Sequence, residues 1–228
     1  MAAKATEDLR TVKVAQCWDD GVLDDIRVTE ILRKYGAKAS FNLNAGLHKR
    51  NRKLNWRYND VKDVYKLGLN ELPEVYDGFL AANHSFTHQH LDEIPLNKAE
   101  AEIIEGRDRL EQIFGYKVTG FAYPFGTYND EVKELIKDAG HIYARTVVNV
   151  PAVFPVENSM EFHPNCHFMD PNFQQIFETA AESGVFYFWG HSYEMVTEKQ
   201  WHDFEGKIAT LSETPGVEWT NLPDLFTG

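Results

Sequence analysis

Apolar positions along the chain keep two rhythms in turn. Short apolar runs of strand length are followed by segments in which apolar residues recur every three or four positions. Val12–Cys17 predicts a buried strand. Val28, Ile31, Leu32 and Tyr35 then fall at i, i+3, i+4 and i+7, a helix face stopped by Gly36. Ala39–Leu43 predicts a second strand, Tyr58–Leu69 a helix and Phe79–Asn83 a short strand. Asn97 and Glu100 have the spacing of a capping box, ahead of Ile103, Leu110 and Phe114 on one face and Gly115 at the end. Thr119–Ala122 predicts the next strand. Asn129 caps a helix carrying Val132, Leu135, Ile136 and Ala139, closed by Gly140, with Asp130 and Glu131 suited to its N-terminal dipole. His141–Arg145 and Met160–His163 predict strands. Asp170-Pro171 opens a helix faced by Phe173, Ile176, Phe177 and Ala180 and ended by Gly184. Val185–Trp189 is a strongly apolar strand. Thr197 with Gln200 starts a last helix through Trp201, Phe204, Ile208 and Leu211, and Val217–Trp219 predicts a final strand.

Strand then helix, repeated this regularly, implies an α/β fold: a parallel sheet with outer helices. About seven such units suggest a closed or nearly closed (β/α) barrel, with a doubly wound open sheet as the alternative. No glycine-rich turn follows the first strand, which argues against a dinucleotide-binding version. No repeat or low-complexity linker divides the 228 residues, so residues 1–228 are read as one domain.

Composition narrows the partners. An apolar content of 43% is ample for a large core. A net charge of −12 argues against nucleic acid or an anionic membrane surface as partner, and leaves neutral or cationic substrates open. Cys17 and Cys166 give no disulfide framework. Met1–Arg10 has no apolar signal core and no segment reaches transmembrane length, which predicts a soluble protein in the cytoplasm, or a secreted one whose signal has been removed. The oligomeric state is not readable.

The reactive residues cluster at the ends of the predicted strands. Asp19 and Asp20 follow the first, in Cys17-Trp18-Asp19-Asp20-Gly21; His84 and His88 follow Phe79–Asn83; Tyr123-Pro124-Phe125-Gly126 follows Thr119–Ala122; Arg145 and His191 end two more. In a parallel barrel these ends open on one face, which holds the active site. Two adjacent carboxylates repel, so a metal ion, an Arg or a His should stand beside them; the plainer reading, a helix N-cap, explains one Asp and not two. Consecutive strand side chains point to opposite faces, so Asp19 and Asp20 should differ in role. His84 and His88, at i and i+4, would share a face on a helical turn and could bind one metal with a carboxylate from another strand. Zinc held this way would lower the pKa of its water to about 7. The other carboxylate could then serve as general base and His191 as general acid.

These motifs resemble the polysaccharide deacetylases of the NodB-homology type. Cys17–Gly21 is similar to their Thr-Phe-Asp-Asp-Gly motif, His84–His88 to their His-Ser/Thr-x-x-His motif, and Phe188-Trp189-Gly190-His191 to their late Leu-x-His strand. The resemblance covers most of the chain, from Val14 to Glu194. It implies a distorted (β/α) barrel with one divalent metal ion, zinc first and cobalt, nickel or manganese otherwise. It implies that Asp20, His84 and His88 are ligands, that Asp19 is the base and that His191 is the acid protonating the leaving amine or alcohol. The chemistry implied is removal of acetyl groups from acetylated carbohydrate. Tyr123, Pro124, Phe125, His163 and Trp189 are the candidates for touching substrate.

Two departures stand out. The Arg that opens the family's third motif and holds the base is Ala122 here, and the fourth motif is not recognisable, with His163-Pro164-Asn165-Cys166-His167 near its place. Arg145, one strand later, is the candidate to replace that Arg, through a bidentate pair with Asp19. Two other readings compete: a carbohydrate-binding protein on a degenerate enzyme scaffold, and a metal-independent amidohydrolase of small cyclic ureides.

Overall fold

The computed structural model describes residues 11–226; the stretch read above as lacking a signal core, Met1–Arg10, lies outside the described residues. The chain runs β1 (Val12–Asp19), α1 (Asp25–Lys34), β2 (Ser40–Leu43), β3 (Lys53–Tyr58), β4 (Lys62–Lys66), α2 (Leu72–Val75), β5 (Leu80–Asn83), α3 (Leu96–Phe114), β6 (Gly120–Ala122), α4 (Asp130–Asp138), β7 (Tyr143–Arg145), β8 (Cys166–His167), α5 (Phe173–Ala181), β9 (Val185–Gly190), α6 (Glu198–Glu213) and β10 (Val217–Trp219). Seven strands form a curled parallel sheet in the order β7-β6-β5-β2-β1-β9-β8, and β10 pairs beside the start of β1. One stretch reaches both edges of the curl. Phe162 exchanges backbone bonds of 2.9 Å with Ala144 and Thr146 at β7, and four residues later Cys166 pairs with Phe188 of β9. The result is the distorted (β/α) barrel expected.

Burial on both faces explains why β1 reads as a continuous apolar run rather than an alternation. Val14 and Trp18 pack outward under the helices, while Ala15 and Cys17 point inward with Tyr143, Phe162 and Tyr187. Asp19 shares the inward face with Ala15 and Cys17, and Arg145 shares one with Tyr143, by the two-residue period of a strand. Both polar residues therefore cap a dry interior. The two cysteines are buried and unbridged. No helix among the described residues is long and apolar enough to cross a membrane.

Several local expectations change. Tyr58–Leu69 is not helical: β3 and β4 form an antiparallel hairpin there, turned by Asn59 and Asp60, whose φ values of 45° and 58° are those of a type I′ turn. The Asn97 capping box does not form, because α3 begins at Leu96, with Pro95 in the cap position two residues ahead of Asn97. Asp170-Pro171 precedes α5 rather than opening it; the Asp170 carboxylate accepts from the Asn172 N–H at 2.8 Å, a turn ahead of the helix. Met160–His163 contributes a short 3₁₀ turn, Ser159–Glu161, and a single bridge at Phe162 in place of a strand. The Thr197/Gln200 box and the Asn129 cap form as read.

Candidate active site

The two carboxylates meet because the strand ends between them. Asp20 and Gly21 take φ values of 85° and 65°, so the chain turns out of β1 in the left-handed region. The two-residue alternation stops at Asp19, and both carboxylates line one pocket instead of opposite faces. Gly21 is required for space as well as backbone: a Cβ there would sit 2.7 Å from the His48 ring.

Each carboxylate has its own buried cation. Asp19 is 2% exposed; its Oδ1 accepts from Asn42 Nδ2 at 2.6 Å and its Oδ2 pairs with Arg145 Nη2. Arg145 stands in register with Ala122 on the neighbouring strand and reaches Asp19 from there. The pair is made through one guanidinium nitrogen; Nε and Nη1 have no protein partner, so the expected bidentate fork is not formed. The Trp189 ring lies 4.8 Å from the guanidinium carbon. Burial pushes the Asp19 carboxyl up, but Arg145 with His84, His191 and the Asn42 bond outweighs it and holds the carboxyl below its ordinary range. Asp20 is held low likewise, with burial opposed by Lys66 and three histidines. Lys66, 1% exposed at the end of β4, donates to the Asp20 carbonyl, to Asn44 Oδ1 at 2.9 Å and to Asp20 Oδ1 at 3.3 Å.

His84 and His88 converge through a loop and not on a helical turn, with Ser85 and His88 at φ values of 60° and 61°. His84 Nδ1–H donates to the Ala122 carbonyl at 2.8 Å, which leaves Nε2 as the free lone pair. That nitrogen faces His88 Nε2 at 3.2 Å. Burial lowers both imidazoles, His88 to about 3 with His84 beside it, so both are neutral at physiological pH. One ligand atom from each of Asp20, His84 and His88 lies within 4.8 Å of the other two. Two neutral ring nitrogens turned toward each other beside an ionised carboxylate fit a divalent ion of the zinc type.

His191, at the end of β9, places Nε2 3.7 Å from Asp19 Oδ2 and Nδ1 3.4 Å from Glu194 Oε1. Burial alone would lower this imidazole; Glu194, Asp19 and Asp20 reverse that and raise it. Asp19 and His191 thus face one space from two strand ends. The cavity there, about 510 Å³, is also lined by Tyr123, Phe125, Trp189 and Tyr193.

Two substrate candidates fall elsewhere. Pro124 is buried behind the wall that its neighbours form. His163 lies outside this pocket: its Nδ1 is 2.6 Å from Thr146 Oγ1, and it lines a separate cavity with Val150, Val153 and Glu157. Its neighbour Phe162 bridges to Arg145 at the edge of β7, and His163 turns to Thr146 there. Lys66, Tyr193 and Glu194 escaped the sequence reading. Glu194 follows His191 by three residues, and that spacing is the signal in the sequence; Lys66 was hidden by the helix expected over Tyr58–Leu69.

The family model for polysaccharide deacetylases matches residues 6–144, more than half of the chain. The chain belongs to the polysaccharide deacetylase family. Solved structures agree on the fold. A mutant of the peptidoglycan deacetylase of Bacillus subtilis superposes with a TM-score of 0.59 at 17% identity, covering 96% of this chain and 91% of that one. The family 4 carbohydrate esterase of Streptomyces lividans, in complex with acetate, gives 0.58 at 15%, covering 90% of each. A family 4 pseudoenzyme of Bacillus anthracis gives 0.60 at 15%, covering 96% of this polysaccharide deacetylase-family chain and 66% of its own length. No curated protein matches the chain. Since a pseudoenzyme shares the fold, function has to be argued from the side chains in the pocket.

Proposed function

We propose that the protein is a metal-dependent hydrolase that removes acetyl groups from N- or O-acetylated carbohydrate. Asp20, His84 and His88 would hold the ion, Asp19 would be the general base, His191 the general acid and Arg145 the group that orients Asp19. The observation that carries this reading is the meeting, in one cavity, of a neutral His–His–carboxylate set with a separate ionised Asp and a His of raised pKa. Family membership and the acetate-bound esterase on the same fold support acetyl transfer to water as the chemistry.

The work divides among the residues as follows. A divalent ion held by Asp20, His84 and His88 would supply Lewis acidity toward the acetyl carbonyl and water. Asp19, kept ionised by Arg145 and turned by Asn42, takes a proton from the attacking water. His191, kept protonated by its carboxylate neighbours, delivers a proton to the leaving nitrogen or oxygen. Trp189, Tyr193 and the half-exposed Phe125 wall the cavity and suit the faces of a sugar ring.

One observation favours the metal-independent alternative: Lys66 already sets a positive charge beside Asp20. Acetate release from acetylated chitin, peptidoglycan and xylan fragments, with and without chelator, separates the readings. Release that the chelator abolishes supports the proposal. Release indifferent to chelator points to the metal-independent enzyme, and none at all on any substrate to a binding protein.

A further inference from the structure

We infer that the pocket rim carries a second divalent-cation site, formed by His167, His191 and Glu194, whose occupation by excess zinc inhibits the enzyme. The inhibitory half of this inference rests on the role proposed above for His191; the site itself does not.

Three strand-end features bring the donors together. His167 ends β8, His191 follows β9 beside it, and Glu194 sits on the 3₁₀ turn Ser192–Glu194. Gly190 allows the approach: a Cβ there would stand 2.1 Å from Phe168 Cδ1 and 3.2 Å from His167 Nε2. Glu194 lies between the two imidazoles, its Oε2 2.8 Å from His167 Nε2 and its Oε1 3.4 Å from His191 Nδ1. One ligand atom from each of the three lies within 4.8 Å of the others, and they are half-buried, open to solution on one side. His191 Nδ1 is buried against Glu194, the residue it faces at 3.4 Å, so this donor atom turns toward the carboxylate. Two imidazole nitrogens and one carboxylate, with room for water, are the donors of an open zinc site.

The site differs from the first in what already holds it. Glu194 pairs with His167 at 2.8 Å and faces His191 at 3.4 Å, and burial opposed by His167 and His191 leaves its carboxyl at about 2. A cation entering must replace the proton of the His167–Glu194 bridge, a contact of 2.8 Å, whereas Lys66 stands 3.3 Å from Asp20 at the first site, so the rim affinity is expected to be the weaker. Once bound, it would draw Glu194 away from His191 and pin that ring by Nδ1. A ring held by a dication is a poorer proton shuttle, so turnover would fall as this site fills.

The test uses zinc alone on the full chain at mildly alkaline pH. Equilibrium dialysis should find one tight and one weaker equivalent, the weaker lost in both His167→Ala and Glu194→Gln. Turnover of the wild type should fall at least tenfold over the zinc range that fills the weaker site. A weak chelator should restore it, and His167→Ala should resist the same zinc. A single equivalent that His167→Ala and Glu194→Gln both keep, or two retained in both variants, overturns the inference. If the wild type binds only one weak equivalent, lost in His167→Ala and kept in His88→Ala, the rim site stands and the first site falls. A single tight equivalent lost only in His88→Ala gives the reverse.

Discussion

Replacing Arg145 by Met would remove the charge and keep most of the volume. Arg145 and Asp19 are 1% and 2% exposed, so their interaction is not discounted for solvent screening. Removing one partner of a buried pair leaves an uncompensated charge, at a cost of about 3–5 kcal/mol. Stacking on Trp189 adds to what is lost. For a chain of this size that predicts a fall in Tm of roughly 6–20 °C at neutral pH. The diagnostic is the double variant. Asp19→Asn with Arg145→Met leaves no orphan charge, so it should recover at least about 2 kcal/mol of the loss as a coupling energy. Urea denaturation of the four proteins of the cycle measures it. Equal losses in Arg145→Met with and without Asp19→Asn would refute the argument, because the cost would then come from packing and not from the pair.

Other outcomes follow from the same geometry. His191→Ala should bind substrate normally and turn over about 10²–10⁴-fold more slowly; wild-type rates would remove it from the mechanism. Lys66→Met removes a cation that faces Asp20 at 3.3 Å, so zinc should bind at least tenfold more tightly in a chelator competition, and weaker binding would show that Lys66 instead holds Asp20 in place. Asp25, buried under Tyr76 and Ser192, is raised by burial to about 7. A raised folded pKa stabilises fully below the unfolded value near 3.9, and that stability is lost as pH climbs to about 7, some 4 kcal/mol on linkage. Asp25→Asn should flatten this slope in urea midpoints taken from pH 4 to 8; an unchanged slope would contradict it.

The elements that carry a strong period were legible in the sequence. β1 read as a buried strand because both of its faces are dry, and α4 and α6 showed their apolar faces and caps. Arg145 could be paired with Asp19 because strand order puts Ala122 beside it, although the single-nitrogen contact needed coordinates. The hairpin was missed even though Asn59-Asp60 is a turn signal, since Trp56, Tyr58, Val64 and Lys66 alternate over runs too short to outweigh a helical reading. With the hairpin went Lys66, and with it the fact that each Asp has its own cation. The placement of His163 depends on how far a strandless segment travels round the curl, which no local pattern encodes.

The central claim is that acetyl removal needs the ion held by Asp20, His84 and His88. The most direct measurement is acetate release from one acetylated oligosaccharide by the same protein sample, read as prepared, after chelation and after zinc is returned. The account expects release, its loss on chelation, and its recovery with about one equivalent of zinc in the wild type but not in His88→Ala. Release that persists after chelation, or that His88→Ala recovers equally, would contradict it.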